Sequence, residues 1–410
     1  MKRLATANVA ITRSQTIIAM TIEQLTALDK LNNAFYKASK ASKWKPATQL
    51  YRSNLLLNNT KLQEELRSGT YKTDKTINFW INERGKRRYI ESPSIRDRIV
   101  QKVLTTEILI PQLKPLLIYD NYASLEGRGT SFARKRVDVL LRRYIRKHGT
   151  DGYVLLIDIK QYFPSIDHEI LKEMVHQRIH EPPEIMNLID LVIDQSSDSD
   201  KGLNLGSEAP QIFAVYYLNP VDTYAKTVRS VKYYGRYMDD IIIISDSKEE
   251  LKDLLEGIKG ELAKLKLEIN EHKTHITKLS RGFTFLQIKY SFDGNRIIKR
   301  PTHTKLARER KRLRKFRKLC NQGKITELEI YNAYKSWRNT VVKDCNACSK
   351  SIASIDRLYA ELFPEHEVYV RPMRKDVLKD IGKESKDEVR RRKRHRTYAG
   401  RERRHGLHRG

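Results

Sequence analysis

The chain has 410 residues, with 80 Lys plus Arg against 50 Asp plus Glu and a formal charge of +30 at pH 7. That length can bury a large core and divide into two or three domains, and so large a charge excess favours a polyanionic partner over solubility alone. No apolar run reaches the ~18 residues that membrane insertion needs. Ile17-Ile18-Ala19-Met20 is too short to supply a leader core after Met1-Lys2-Arg3, so no membrane partner and a cytoplasmic location are the default expectations.

In chain order, residues 1 to 75 scatter apolar positions among Lys, Asn and Thr and read as short helices with connecting loops. Alternating Phe79, Ile81, Tyr89 and Ile90 around Asn82-Glu83-Arg84-Gly85 predict a hairpin over 78–90 whose turn and second strand are basic. Helices are expected over 94–110 and 131–147, the second packing Phe132, Val137, Leu140, Leu141, Tyr144 and Ile145. Tyr153 to Ile157 read as a buried strand ending in Asp158. A turn at Phe163-Pro164-Ser165 precedes a helix near 167–179, for which Asp167 is read as a cap and not as a metal ligand. After a polar connection at 195–201, a Gly-flanked loop at 202–206 leads into a helix near 208–227.

The segment Tyr234-Gly235-Arg236-Tyr237-Met238-Asp239-Asp240 runs into Ile241-Ile242-Ile243-Ile244 and places two adjacent carboxylates at the tip of a hairpin. An Asp-Asp pair is ordinarily a polar turn. Here a second apolar strand also ends in an acid, Asp158, and a cation between them would remove the cost of crowding those charges. Carboxylate oxygens suit Mg²⁺, with Mn²⁺ as an alternative, better than Zn²⁺, and a two-metal centre activates an attacking oxygen while stabilising a leaving one. A helix at 248–266 and a small strand region near 280–299 complete an α+β core.

Residues 304 to 359 look helical and separate, with Leu306, Leu313, Phe316 and Leu319 on one face and a run of Arg and Lys on the rest. Residues 390 to 410 hold ten Lys or Arg against Glu402 alone, which predicts a flexible nucleic-acid-binding tail. Cys345 and Cys348 have no second Cys pair or nearby His pair to complete a zinc site; on a helix they would lie one turn apart and pack as ordinary thiols.

From about residue 78 to 345 the chain resembles prokaryotic reverse transcriptases, the group that includes group II intron, retron, diversity-generating retroelement and phage-defence enzymes. The order and spacing of several boxes around Tyr237-Met238-Asp239-Asp240 carry the resemblance. It implies a right-hand polymerase fold: an N-terminal helical extension over 1–77, fingers over 78–150, a palm over 151–299 with part of the fingers inserted around 175–200, a helical thumb over 300–375 and a basic tail over 376–410. It also implies that Asp158, Asp239 and Asp240 are catalytic and bind two metal ions.

Further positions match the family one by one. Phe163 matches the aromatic steric gate that crowds a 2′-OH, although an ordinary core aromatic would look the same. Arg87 and Arg88 resemble the basic residues that face the triphosphate, and a solvated hairpin is the alternative reading. Arg128, in Tyr122-Ala123-Ser124-Leu125-Glu126-Gly127-Arg128-Gly129-Thr130, falls in the box near template and nucleotide, where glycines permit close backbone approach. Gly206 belongs to the loop beneath the nascent pair, but Leu205 stands where the family often has Gln, and Glu208 adds an unusual acid. Lys273 matches a palm lysine near phosphate; a surface lysine fits equally. Tyr237 and Met238, together with Phe285, Leu286 and Gln287 of the palm-to-thumb segment, would contact primer and template.

The implied reaction is attack of a primer 3′-hydroxyl on the α-phosphorus of a dNTP, giving a cDNA product. No nuclease box follows the thumb region, and fewer than 40 residues remain after the last hydrophobic segment, so a dedicated noncoding RNA is the expected template, with an accessory protein as a further partner. The Leu205 and Glu208 departures tilt the expected role toward phage defence. A retroelement reverse transcriptase, a protein-primed or untemplated DNA polymerase, and a catalytically silent RNA-binding scaffold are the alternatives.

Overall fold

The computed structural model describes residues 19–83, 86–195, 199–204 and 206–364. The expectations for Leu205 and the basic tail at 376–410 fall outside them. The chain divides into two compact units, Met1–Ile298 and Lys299–Gly410.

The first unit opens with four helices, α1 (Ile22–Leu25), α2 (Leu28–Ser39), α3 (Pro46–Ser53) and α4 (Leu55–Arg67). A two-stranded antiparallel hairpin, β1 (Ile77–Glu83) and β2 (Lys86–Ser92), follows in the register Trp80 opposite Tyr89. Next come α5 (Ile95–Leu104), a π-turn at Thr105–Leu109, α6 (Ile110–Leu113) and the long α7 (Thr130–His148). Ser94 caps α5 by accepting from the Asp97 amide, as a serine at that position should.

Strand β3 (Tyr153–Asp158) leads to α8 (Tyr162–Ser165), α9 (His168–His176), α10 (Pro183–Asp194), α11 (Glu208–Tyr217) and α12 (Asn219–Thr223). The expected helix over 208–227 is therefore broken: Pro220 has no amide hydrogen to continue α11, and a π-turn occupies Tyr224–Val228. Asp167 accepts from the Ile170 amide at 3.1 Å and caps α9 as expected.

Strands β4 (Tyr234–Tyr237) and β5 (Asp240–Ser245), helix α13 (Lys248–Lys264) and strand β6 (His275–Lys278) complete a four-stranded antiparallel sheet in the order β4-β5-β3-β6. Val154–Ile157 and Ile241–Ile244 are buried throughout, so the two central strands are covered on both faces, which is why they read as unbroken apolar runs. Their core is continuous with residues of α2, α5, α9, α10, α11 and α13. Strands β7 (Phe283–Phe285), β8 (Ile288–Asp293) and β9 (Arg296–Pro301) form a separate small sheet.

The second unit, where described, holds α14 (His303–Asn321), α15 (Glu327–Asp344) and α16 (Ser349–Leu362). Leu306, Leu313, Ile330, Tyr334, Ile355, Tyr359 and Phe363 make its core, with the Tyr334 and Tyr359 rings stacked at 4.5 Å. Cys345 and Cys348 are buried free thiols, but they stand at the junction of α15 and α16 and not along one helix. No described helix is long and apolar enough to cross a membrane.

Candidate active site

The register of the buried sheet assembles the acids. Asp158 lies opposite Asp240 across β3 and β5, and Tyr237 lies opposite Asp240 across β4 and β5. Directly opposed residues of antiparallel strands project from the same face, so the ends of three strands converge there. Met238 and Asp239 form the two-residue turn between β4 and β5, with Met238 at φ +54°. A left-handed non-glycine residue stores on the order of 1–3 kcal/mol and persists only where its surroundings hold it.

Arg236 does the holding. It is completely buried, and its guanidinium donates to both carboxylate oxygens of buried Asp222 at 2.8 and 2.6 Å, to the Val215 carbonyl at 2.9 Å and to the Met238 carbonyl at 3.1 Å. Burial works against its charge, and Asp222 more than offsets that, so the guanidinium is held above its ordinary pKa and stays charged. Tyr234 donates to the same Asp222 carboxylate at 2.7 Å. Arg236 stands inside the quoted motif, yet the sequence reading gives it no role. The available signal is an arginine within an apolar strand, a charge tolerable only with a buried partner.

The 119–125 loop braces the same strand. The Tyr122 amide donates to the Arg236 carbonyl at 2.8 Å and the Arg236 amide to the Asp120 carbonyl at 3.0 Å. Arg128, expected near the nucleotide, donates to the Tyr119 and Asn121 carbonyls and lies over the Tyr119 and Phe132 rings at 5.1 and 4.7 Å, so its guanidinium closes its own loop. Gly127 and Gly129 have φ +72° and +150° with open space where a Cβ would stand; they serve the turn by their dihedrals, not by close packing.

Asp158 is braced by the segment after α13. The Asn270 amide donates to the Asp158 carbonyl at 2.7 Å, and the Lys273 ammonium donates to both Asp158 carboxylate oxygens at 2.7 and 2.8 Å. Among the described residues no three His, Cys, Asp or Glu side chains already form a cluster that could hold a metal ion. The donor set still fits one. Its ligands are all carboxylate oxygens at one end of a buried sheet, and the Lys273 ammonium on Asp158 marks a place where a cation is stable.

Phe163 lies five residues past Asp158, after Gln161 in a left-handed turn. It is half-buried, with its ring edge-on to buried Tyr162 at 5.7 Å, and its carbonyl accepts from the Leu203 amide at 3.0 Å, which ties the 202–204 loop beside it. Gly206 is a true close approach: a Cβ there would come within 3.1 Å of the Glu91 carbonyl at the root of β2. Glu208 is ion-paired with Lys102 at the edge of a cavity of about 570 Å³ also lined by Lys37, Lys40 and Arg98, so the unusual acid is neutralised locally.

Phe285 pairs with Ile288, and between them Leu286 and Gln287 turn the chain with φ +45° and +64°. Two successive positive φ values on non-glycine residues make a type I′ turn that needs support. Arg134, largely buried on α7, donates to the Leu286 carbonyl at 2.8 Å and supplies part of it. Arg87 and Arg88, expected to act together, are neighbours on β2 and therefore point to opposite faces of the hairpin. Arg88 shares a face with buried Ile90, whereas Arg87 lies over the exposed Trp80 ring at 4.4 Å.

The family model for reverse transcriptase (RNA-dependent DNA polymerase) matches residues 72–290, more than half of the chain. The chain belongs to the reverse transcriptase family. The mixed helix and sheet architecture of this reverse transcriptase is the right-hand polymerase fold of fingers, palm and helical thumb, and such domains use divalent metal ions. Similar solved structures include apo telomerase from Candida tropicalis truncated from its C-terminal domain, at 15% identity over 60% of this chain and 60% of that one, with a TM-score of 0.41. Telomerase from Candida albicans in complex with a fragment of telomeric RNA is similar at 12% identity over 71% of this chain and 59% of that one, with a TM-score of 0.42. The chain thus spans about three fifths of the length of these two structures. No curated protein matches this reverse transcriptase chain.

Proposed function

We propose that this reverse transcriptase is an RNA-directed DNA polymerase that adds dNTPs to a primer 3′-hydroxyl on an RNA template, with Asp158, Asp239 and Asp240 holding two Mg²⁺ ions. The observation that carries this reading is the placement of Asp158 opposite Asp240 at the end of a buried sheet, inside the matched family region. The bound ions would supply charge stabilisation for the attacking and leaving oxygens.

The chain's own residues do the rest. Arg236 and Asp222 hold the Met238-Asp239 turn in its strained form, so that both aspartates are oriented before substrate arrives. Lys273 keeps Asp158 charge-compensated and then turns to donate to a phosphate oxygen of the incoming nucleotide. Phe163 crowds the 2′ position of that nucleotide's sugar, and the Leu286-Gln287 turn seats the primer end.

In this reading 1–77 is a helical extension, 78–150 the fingers, 151–299 the palm with fingers residues around 175–200, 300–375 the thumb and 376–410 a nucleic-acid-binding tail. The template is a dedicated structured RNA and the role is phage defence. Glu208 supports that lineage as a departure from the usual pattern.

The test is extension of a labelled primer on an RNA template with Mg²⁺ and dNTPs, comparing the native protein with Asp239→Ala plus Asp240→Ala. Extension by the native protein alone is expected. No extension by either, including on RNA that copurifies with the protein, would overturn the polymerase reading in favour of a silent RNA-binding scaffold.

A further inference from the structure

Two segments distant in sequence run side by side at the start of α9, and one of them includes Phe163. The His168 amide donates to the Asp200 carbonyl at 3.0 Å, the Gly202 amide to the Ile166 carbonyl at 2.7 Å and the Leu203 amide to the Phe163 carbonyl at 3.0 Å. These bonds zip 163–168 to 200–203, so a shift of one segment moves the other. Gly202 takes φ +105°, a backbone that would strain any side chain, and Leu203 is buried.

One side chain closes the pair. His168, the first residue of α9, is 3% exposed, and its Nε2 lies 2.7 Å from the Gly202 carbonyl oxygen. A carbonyl can only accept, so Nε2 carries the hydrogen and the ring donates to the loop. The other ring edge faces the end of α10, where Nδ1 is 3.5 Å from an Asp194 carboxylate oxygen that Lys172 holds at 2.8 Å. Beside it the Gln195 carbonyl accepts from the Asn204 side-chain amide at 3.4 Å, so the loop is fastened on both sides of Leu203. Burying an imidazole costs free energy that a leucine in the same place would not, and the bond to Gly202 offsets that cost.

Resting on the sugar-selecting role proposed for Phe163, we propose that His168 is a positioning residue for nucleotide selection. Its bond to Gly202 holds the 200–203 segment, which through the Leu203 amide fixes where the Phe163 ring stands. His168 touches neither nucleotide nor metal in this reading. A ring can crowd a 2′-OH only while its backbone is held, since a displacement of about 1 Å is enough to degrade a positioned contact. A role in packing alone predicts something different: less folded protein with sugar choice intact, because a ratio of two rates on the same molecules does not depend on how many are folded.

The experiment measures single-nucleotide incorporation of dNTP and of rNTP by the full chain. It is repeated with His168→Leu, His168→Asn, His168→Gln, Phe163→Ala, and Phe163→Ala combined with His168→Leu. Leucine cannot donate and asparagine is too short to reach Gly202. Both should raise rNTP use relative to dNTP by about three- to tenfold in kcat/KM, the worth of one neutral hydrogen bond. Glutamine, whose amide nitrogen falls near the position of Nε2, should stay within about twofold of the native ratio. The combined variant should match Phe163→Ala alone, because two residues acting through one ring do not add. A native ratio in both His168→Leu and His168→Asn would overturn the proposal, as would a combined variant whose shift is the product of the two single shifts. If Phe163→Ala itself leaves the ratio unchanged, the gate reading fails and the proposal falls with it. If the native protein incorporates neither nucleotide, the polymerase reading fails and takes both down, so the three failures give different results.

Discussion

The β4–β5 hairpin buries Tyr234, Gly235, Arg236 and Ile241 to Ile244 and ends in a left-handed Met238, whereas the β1–β2 hairpin leaves Phe79, Trp80 and Tyr89 open to water. Both are antiparallel pairs, yet they handle charge in opposite ways. Arg236 is locked between Asp222 and backbone carbonyls in the interior, while Arg87 rests on an aromatic ring at the surface. A buried charge with several fixed partners holds geometry and carries a large penalty if one partner is lost. An exposed charge on a ring has little hold on the fold and is available to a ligand. Lesions at the buried charge of β4–β5 should therefore appear in stability and chemistry together, and lesions at the exposed charge of β1–β2 mainly in binding.

The largest expected effect is at the turn of β4–β5. Asp239→Asn should reduce the single-turnover extension rate on the order of a thousandfold or more, with the thermal unfolding midpoint little changed. A comparable loss of stability would place Asp239 among the structural groups of that hairpin instead.

Arg236→Met should then cost about 3–5 kcal/mol of unfolding free energy in urea titrations, because Asp222 is left charged and unpaired in the core. Adding Asp222→Leu should recover much of the stability but not the extension rate, since the Met238 carbonyl still lacks its donor. Full recovery of activity in that double variant would show that the pair only fills space.

Phe163, half-buried, stands between the two extremes. Phe163→Ala should raise the use of rNTPs relative to dNTPs by about 10–200-fold in kcat/KM, with a modest stability loss. A large stability loss with unchanged sugar selection would mark it as an ordinary core aromatic.

The smallest effects should separate the two arginines of β2. Arg88→Ala should raise the KM for dNTP by about tenfold, and Arg87→Ala, whose guanidinium rests on the Trp80 ring on the other face, should leave that KM nearly unchanged. Identical phenotypes would show that the two faces do not divide the work.

Much of this contrast was legible in the residues. Asp158 and the Asp239-Asp240 pair stand out because strands covered on both faces read as unbroken apolar runs, and an acid at the end of such a run is conspicuous. The β1–β2 hairpin was visible through alternation. Helix α10 was not read, since Pro182-Pro183 looks like a break; proline at the first helical position begins a helix instead. Strand β6 was missed because four partly exposed residues at a sheet edge carry no clear period. The support of the site lay further out of reach. The Arg236–Asp222 pair, the Arg134 bond to Leu286 and the commitment of Arg128 to its own loop are contacts between segments far apart or bent back on themselves, and periodicity does not report them.

Gly235 shows how tightly the 119–125 loop and the strand carrying the aspartates are joined. A methyl group at this position would run into the Tyr122 hydroxyl, and Tyr122 is itself bonded to the neighbouring Arg236. The loop therefore cannot drift from the strand, and the strand cannot accept even alanine without displacing the loop. In genetic terms position 235 is the natural seat of a conditional lesion: a chain with Gly235→Ala that folds in the cold and loses both loop and turn together on modest warming.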